Sequence, residues 1–339
     1  MQPLNRPQIA GLSRGAERMK MMFRLVALAA ALLLTGPVVA KAWPEQAIRM
    51  VVPFAAGGTT DVIARIVAER LAAGLGRPVV IENVAGAGGN TGATLVSKAP
   101  PDGYTILVAT PGPAVMNQFM YRNMPYRTDA LVALASLASV PSVLVVSPKL
   151  EVSSTADFLA RMKERAGGAN FGSAGLGSTG HLGGTLLTMQ TGLNAQHVPY
   201  RGSAPMLQDL LAGNIQFTID TVPGVMSFIT SGTIKALAVT GRSRSPALPV
   251  VPSNVEAGIP GVEMASWLVL LAPSGVPQPI VERINAAANA ALKEPELRER
   301  ILKLGAVPEG GSPQDVAAFL RDETAKWKRV IETANIKID

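Results

Sequence analysis

A short apolar run, Ile48–Phe54, leads directly into Ala55-Ala56-Gly57-Gly58-Thr59-Thr60-Asp61 and then into a helical pattern, Asp61–Leu75. No other junction constrains the chain as strongly. Two adjacent glycines let the backbone bend sharply and leave its N–H groups uncovered by side chains. Thr59, Thr60 and Asp61 are helix-starting residues, so the positive end of a helix dipole is directed into the turn. A strand, a neutral Gly-rich turn and a helix N-terminus together attract a small anion. Strand-like runs alternate with helical ones along the rest of the chain, which predicts an α/β fold with mainly parallel sheets.

The theme recurs. Val79–Asn83 is followed by Val84-Ala85-Gly86-Ala87-Gly88-Gly89-Asn90-Thr91-Gly92. Its glycines resemble a dinucleotide fingerprint, but that fingerprint belongs to the first strand–helix turn, which lacks it. Neither turn carries the Lys of a P-loop. The third turn, Gly172-Ser173-Ala174-Gly175-Leu176-Gly177-Ser178-Thr179-Gly180-His181, offers three hydroxyls and four glycines ahead of a helix. A serine hydrolase with Ser173 or Ser178 as nucleophile and His181 as base is the sharp alternative. Neither serine lies in G-x-S-x-G, and Ser178 to His181 is the spacing of a helix cap. His181 is either a donor to a ligand or a first-turn helix residue. The fourth turn is Tyr200-Arg201-Gly202-Ser203, and Arg201 is the one cation in any of them. Asp220 ends the strand Gln216–Asp220 and reads either as a cleft acid or as the cap of the next helix. The apolar block Leu131–Val146, interrupted by Pro141, reads as two strands.

Composition narrows the function. Arg24, the apolar run Leu25–Leu34, Gly36-Pro37 and Ala40-Lys41-Ala42 follow the order of a cleavable signal peptide, expected over residues 1–42. That segment carries Arg6, Arg14, Arg18, Lys20, Arg24 and Lys41 against Glu17, a net +5 of the chain's +7, so the remainder is only +2. The basic balance therefore belongs to the leader and does not point to nucleic acid. The chain has no cysteine, which excludes disulfides, thiolate metal sites and Cys nucleophiles. Two histidines without H-E-x-x-H or H-x-x-E-H give no zinc motif. No metal or cofactor is expected, and the periplasm is the simplest location. A multiply charged phosphate would need more cations than these turns hold. One or two carboxylates can be held by N–H and hydroxyl groups, at about 1.5–3 kcal/mol per charge-assisted bond.

These residues fit a known pattern. Trp43-Pro44, Ile48–Phe54 with Gly57-Gly58-Thr59-Thr60-Asp61, Glu82-Asn83 with Gly86-Ala87-Gly88-Gly89-Asn90, and Pro101-Asp102-Gly103-Tyr104 are its first marks. Ser173-Ala174-Gly175, Gly177-Ser178-Thr179, His181, His197-Val198-Pro199-Tyr200-Arg201-Gly202, Ala238-Val239-Thr240, Glu256-Ala257-Gly258 and Trp267 complete it. With these, the chain resembles the Bug family, the TctC-like periplasmic solute-binding components of tripartite tricarboxylate transporters. Ala55-Ala56, where many relatives have two prolines, and Asp129-Ala130-Leu131 depart from the pattern.

The resemblance implies a type II periplasmic binding protein fold whose two α/β lobes, 43–142 with 262–339 and 143–261, close over a ligand cleft. It implies a non-enzymatic, monomeric protein that captures a small carboxylate and delivers it to TctA/TctB-like membrane subunits, or presents its closed form to a sensor. Expected ligand-binding groups are the backbone of Ala56, Gly57, Gly58, Thr59 and Thr60, the hydroxyls of Thr59, Ser173, Ser178 and Thr179, with Asn90, Gly177, His181, Tyr200 and Asp220, and Arg201 as supporting cation. Asp61, if it faced the cleft, would repel a second carboxylate and favour an amino-carboxylate or nicotinate-like ligand.

Overall fold

The computed structural model describes Met22, residues 43–200 and residues 202–338; the rest of the expected signal peptide and Arg201 lie outside these residues. From Gln46 onward the chain forms one unit built on a ten-stranded sheet. Its strands are β1 (Ile48–Val52), β2 (Val79–Asn83), β3 (Thr105–Ala109), β4 (Leu131–Val146), β5 (Ala169–Ser173), β6 (Ala195–Pro199), β7 (Phe217–Thr221), β8 (Lys235–Val239), β9 (Ala265–Pro273) and β10 (Val307–Pro308). The order is β2-β1-β3-β9-β4-β7-β5-β6, with β8 and β10 also on β4. β1 pairs parallel with β2 and β3, and β5 pairs parallel with β6 and β7. Between these parallel ends, β4 and β9 run antiparallel to each other and to their neighbours.

The helices are α1 (Thr59–Leu75), α2 (Asn90–Ser97), α3 (Asn117–Met120), α4 (Thr155–Glu164), α5 (Thr179–Thr191), α6 (Ser203–Ala212), α7 (Val222–Thr230), α8 (Gln278–Lys293), α9 (Pro295–Lys303) and α10 (Pro313–Thr333). Several start where the sequence signals them. Ser312 and Asp315 form a reciprocal capping box with Pro313 in the first turn of α10. Ser178 accepts from His181 N–H at the start of α5. α5 lies unusually close to the sheet because it is glycine-rich on its inner face. A Cβ on Gly184 would stand 2.3 Å from the Phe171 ring, and one on Gly180 would stand 2.9 Å from the Ile219 carbonyl oxygen.

One expectation is corrected. Leu131–Val146 is a single 16-residue strand, not two. Pro141 pairs with Ala265, the first residue of β9, and from Ser142 the strand changes partners to β7 and β8. A proline removes one ladder hydrogen bond, and the exchange of partners is where that loss is tolerated. β4 thus threads both ends of the sheet. The core at the β1 end includes Val51, Leu107, Met116, Trp267 and Trp327, together with Leu182 and Leu186 of α5. The other end packs around Phe158, Phe171 and Phe217 on one face, and around Met206, Leu210 and Val225 on the other.

Candidate functional site

Parallel strands direct the turns at their carboxyl ends to one side of the sheet. Four such turns line one cavity of about 340 Å³. The turn after β1 gives Phe54 and Thr60, and the turn after β2 gives Gly88. After β3 come Thr110, Pro111, Gly112, Met116, Asn117 and Tyr121. The turn after β5 gives Ala174 through Thr179, and Met264, Ser266 and Ile338 close the remaining wall. No charged side chain lines it among the described residues. The first turns of α1 and α5 both reach it, through Thr60 and Thr179. Their exposed N–H groups and dipoles favour an anion there.

The lining side chains are divided between hydroxyls with one amide, Asn117, and apolar groups. Thr60, Thr110, Thr179 and Ser266 make no side-chain hydrogen bond within the described residues, so their hydroxyls are available to a solute. Burial pushes the pKa of the Tyr121 phenol up, which keeps it a neutral hydroxyl. Asn117 donates to the Gly88 carbonyl at 3.0 Å and to Asn90 Oδ1 at 2.7 Å. Asn90 itself stands behind the wall, 1% exposed, with its Nδ2 left without a partner.

Several expected site residues face inward. Asp61 is 2% exposed, and its carboxylate accepts from Gly57 N–H at 2.9 Å, Arg65 Nε at 3.0 Å and Asn83 Nδ2 at 2.9 Å. Burial pushes its pKa up, but the bonds from Arg65, Gly57 and Asn83 and the Arg65 charge outweigh this and hold it down at about 2. It braces the turn rather than facing the cavity, which removes the basis for its selecting an amino-carboxylate. Ser173 is fully buried, with Oγ 2.7 Å from His197 Nε2 and 2.9 Å from the Gly175 carbonyl oxygen, to which it can donate. His181 accepts from Gly177 N–H through Nδ1 at 3.0 Å and stacks on His197 at 3.9 Å. The Ser173 hydroxyl is therefore paired with His197, not His181, inside the wall.

Tyr200 donates to Asp209 at 2.6 Å, and half-buried Asp220 accepts from Ser203 Oγ and Thr221 N–H. Desolvation pushes the Asp220 pKa up against those bonds. Ala56, Gly57, Gly58, Thr59, Asp61, Asn90, Ser173, His181, Tyr200 and Asp220 are outside the lining set, whereas Thr60, Gly177, Ser178 and Thr179 are in it. Sequence reasoning misses Thr110-Pro111-Gly112 and the residues after it. The signal is present, since this tripeptide follows a strand directly. Its proline reads as a break, but the chain there makes a wide π-type turn, Gly112–Met116, that continues into α3.

The Asp61 bracing gives a first expected outcome. Asp61→Asn should destabilise the protein by about 2 kcal/mol near neutral pH in urea unfolding, because the Arg65 and Gly57 donors lose a charged acceptor. The folded pKa lies below the ordinary carboxylate value. This contribution is therefore complete above about pH 4 and disappears as pH falls through about 2, where the two proteins should converge.

A two-ended α/β sheet with a neutral, donor-lined cavity at its strand ends is the build of a periplasmic solute-binding protein. The family described as Tripartite tricarboxylate transporter family receptor, TctC, matches residues 63–336, and the chain belongs to that family. Protein BugT of Bordetella pertussis is 35% identical over 323 residues, covering 94% of this chain and 99% of BugT. Among solved structures, R. palustris Rpa4515 with adipate is 40% identical with a TM-score of 0.77, covering 88% of this chain and 100% of that one. MatC (Rpa3494) from Rhodopseudomonas palustris with bound malate is 33% identical with a TM-score of 0.72, covering 85% and 100%.

Proposed function

We propose that this solute-binding protein is exported to the periplasm, captures a small carboxylate-bearing solute in the cavity and hands it to the membrane subunits of a tripartite tricarboxylate-type transporter. One observation carries the reading: four strand-end turns converge on a cavity that offers helix N-termini and uncommitted hydroxyls but no charged side chain among the described residues. That chemistry suits a carboxylate, which a few charge-assisted hydrogen bonds hold without a cation. The adipate and malate of the two relatives agree with it. The hydroxyls of Thr60, Thr110, Thr179 and Ser266 and the first-turn N–H groups of α1 and α5 are the proposed contacts, because Gly177 N–H is spent on His181 and the Ser178 hydroxyl donates to the Gly175 carbonyl at 2.7 Å. The segments 43–142 with 262–339 and 143–261 would act as lobes, hinged where β4 crosses between them and where the chain returns just ahead of β9.

The proposed role is capture without catalysis. Ser173 is fully buried behind the wall, where an ester could not reach it. Capture is tested by a thermal-shift and calorimetric screen of malate, succinate, adipate, benzoate and nicotinate, with inorganic phosphate as control. One carboxylate should raise the stability by about 2.7 kcal/mol at 100 times its Kd, while phosphate does not. Failure of every carboxylate would overturn the reading.

A further inference from the structure

The segment after α10 reaches the cavity by a defined route. Asn335, at φ 49°, reverses the chain at the end of the helix, a conformation asparagine tolerates better than most residues. Ile336 then drops into the core with Ile331 and Trp327, at 7% exposure, and its N–H donates to the Ile331 carbonyl at 3.0 Å. Two residues on, Ile338 N–H donates to the Met120 carbonyl at 2.9 Å, and Ile338 pairs parallel with Tyr121. Its side chain is thereby delivered into the cavity wall beside Tyr121. Lys337, between the two isoleucines, is exposed.

Against Ile338 stands Gly177. A Cβ there would lie 2.9 Å from Ile338 Cδ1 and 3.2 Å from Met120 Cε, and Gly177 has φ +74°. Ile338 therefore presses on bare backbone two residues before Thr179, whose free hydroxyl opens α5 on the same cavity wall. A solute held at Thr179 lies in the same cavity as this contact. The same cavity wall is apolar at Phe54, Met116, Leu176 and Met264.

We propose that Ile338 is a specificity-determining residue that limits the length of the apolar body of the bound carboxylate. The inference rests on the carboxylate reading above. A packed apolar stop discriminates because each methylene gained or excluded in such a pocket is worth about tenfold or more in affinity. Trimming Ile338 opens space for a longer chain, and enlarging it shortens what fits.

The test is calorimetric titration of the full chain with succinate, adipate, suberate and sebacate, for the native protein and for Ile338→Ala, Ile338→Val, Ile338→Phe and Lys337→Ala. Ile338→Ala should move the preferred length upward, shifting the adipate-to-suberate affinity ratio by about tenfold. Ile338→Val should shift it less and Ile338→Phe in the opposite sense. Lys337→Ala, beside the stop but outside the cavity, should leave the profile in place. An equal loss for every length in Ile338→Ala, or an unchanged profile in all three Ile338 variants, overturns the stop. Ile338→Val, the mildest change, keeps the test decisive if Ile338→Ala fails to fold. If the native protein binds none of the four while binding another carboxylate, the length stop alone fails; if no carboxylate binds at all, the functional reading fails with it.

Discussion

Lowering the pH from about 7 to about 4.5 should remove some 3 kcal/mol of folding stability, and His181 with His197 is the cause. The rings stack at 3.9 Å between centroids and 13° between planes. His181 is 7% exposed, and burial lowers its pKa to about 4. Burial and then the neighbouring His181 charge bring His197 to about 4 as well. Both folded values lie below the ordinary histidine value of about 6.5, so the unfolded chain takes up more protons across this interval. The stabilisation from keeping the pair neutral is complete above about pH 6.5 and is lost as pH falls through about 4.

At about 1.4 kcal/mol per unit, His181 alone accounts for most of this loss. The two rings do not add, because the first proton opposes the second. Protonation would also remove the Nδ1 lone pair that accepts from Gly177 N–H, so the cavity turn should loosen with the pair. Urea unfolding at about pH 7, 5.5 and 4.5 measures the slope. His181→Asn, whose amide oxygen can take over the Gly177 bond, should flatten it. Equal stability at the two ends of the range would mean that the rings are not held neutral.

The legible parts of this structure are those written within a few residues. Ser178 capping His181, and Ser312 with Asp315 opening a long helix, are relations of three residues, and both stand in the fold. The Gly-rich turns are equally visible, because a strand, small residues and a helix start are all local. What the sequence leaves open depends on partners far along the chain. Asp61 turns inward because Asn83, 22 residues away, and Arg65 both reach its carboxylate. His197, 16 residues past His181, takes up the Ser173 hydroxyl that a local reading gives to a ligand. Ile338 reaches the cavity only because it pairs with Tyr121, more than 200 residues earlier. A local rule makes Pro141 a break, whereas the exchange of strand partners that accommodates it is a property of the whole sheet.

Glu323→Ala should cost about 3–5 kcal/mol of folding stability, more than the loss of the Asp61 charge. Glu323 is 8% exposed on α10. Its Oε2 accepts the indole N–H of Trp267 at 3.1 Å and that of Trp327 at 3.0 Å, and its Oε1 pairs with the Lys326 ammonium. One carboxylate thus ties α10 to β9, the strand on which Ser266, next to Trp267, faces the cavity. Alanine removes the acceptor and leaves two indole donors without it; each such loss costs about 1–3 kcal/mol, and the ammonium loses its partner as well. Glu323→Gln keeps an oxygen acceptor of the same reach and should cost less than half as much. Urea unfolding followed by tryptophan fluorescence reads both effects, since Trp267 and Trp327 are two of the three tryptophans in the chain. The tie also predicts weaker solute binding in Glu323→Ala than in Glu323→Gln, because the wall carrying Ser266 loses its brace to α10. A loss below about 1 kcal/mol in Glu323→Ala would show that the indoles are satisfied without the carboxylate, and that β9 is held in place by its ladder alone.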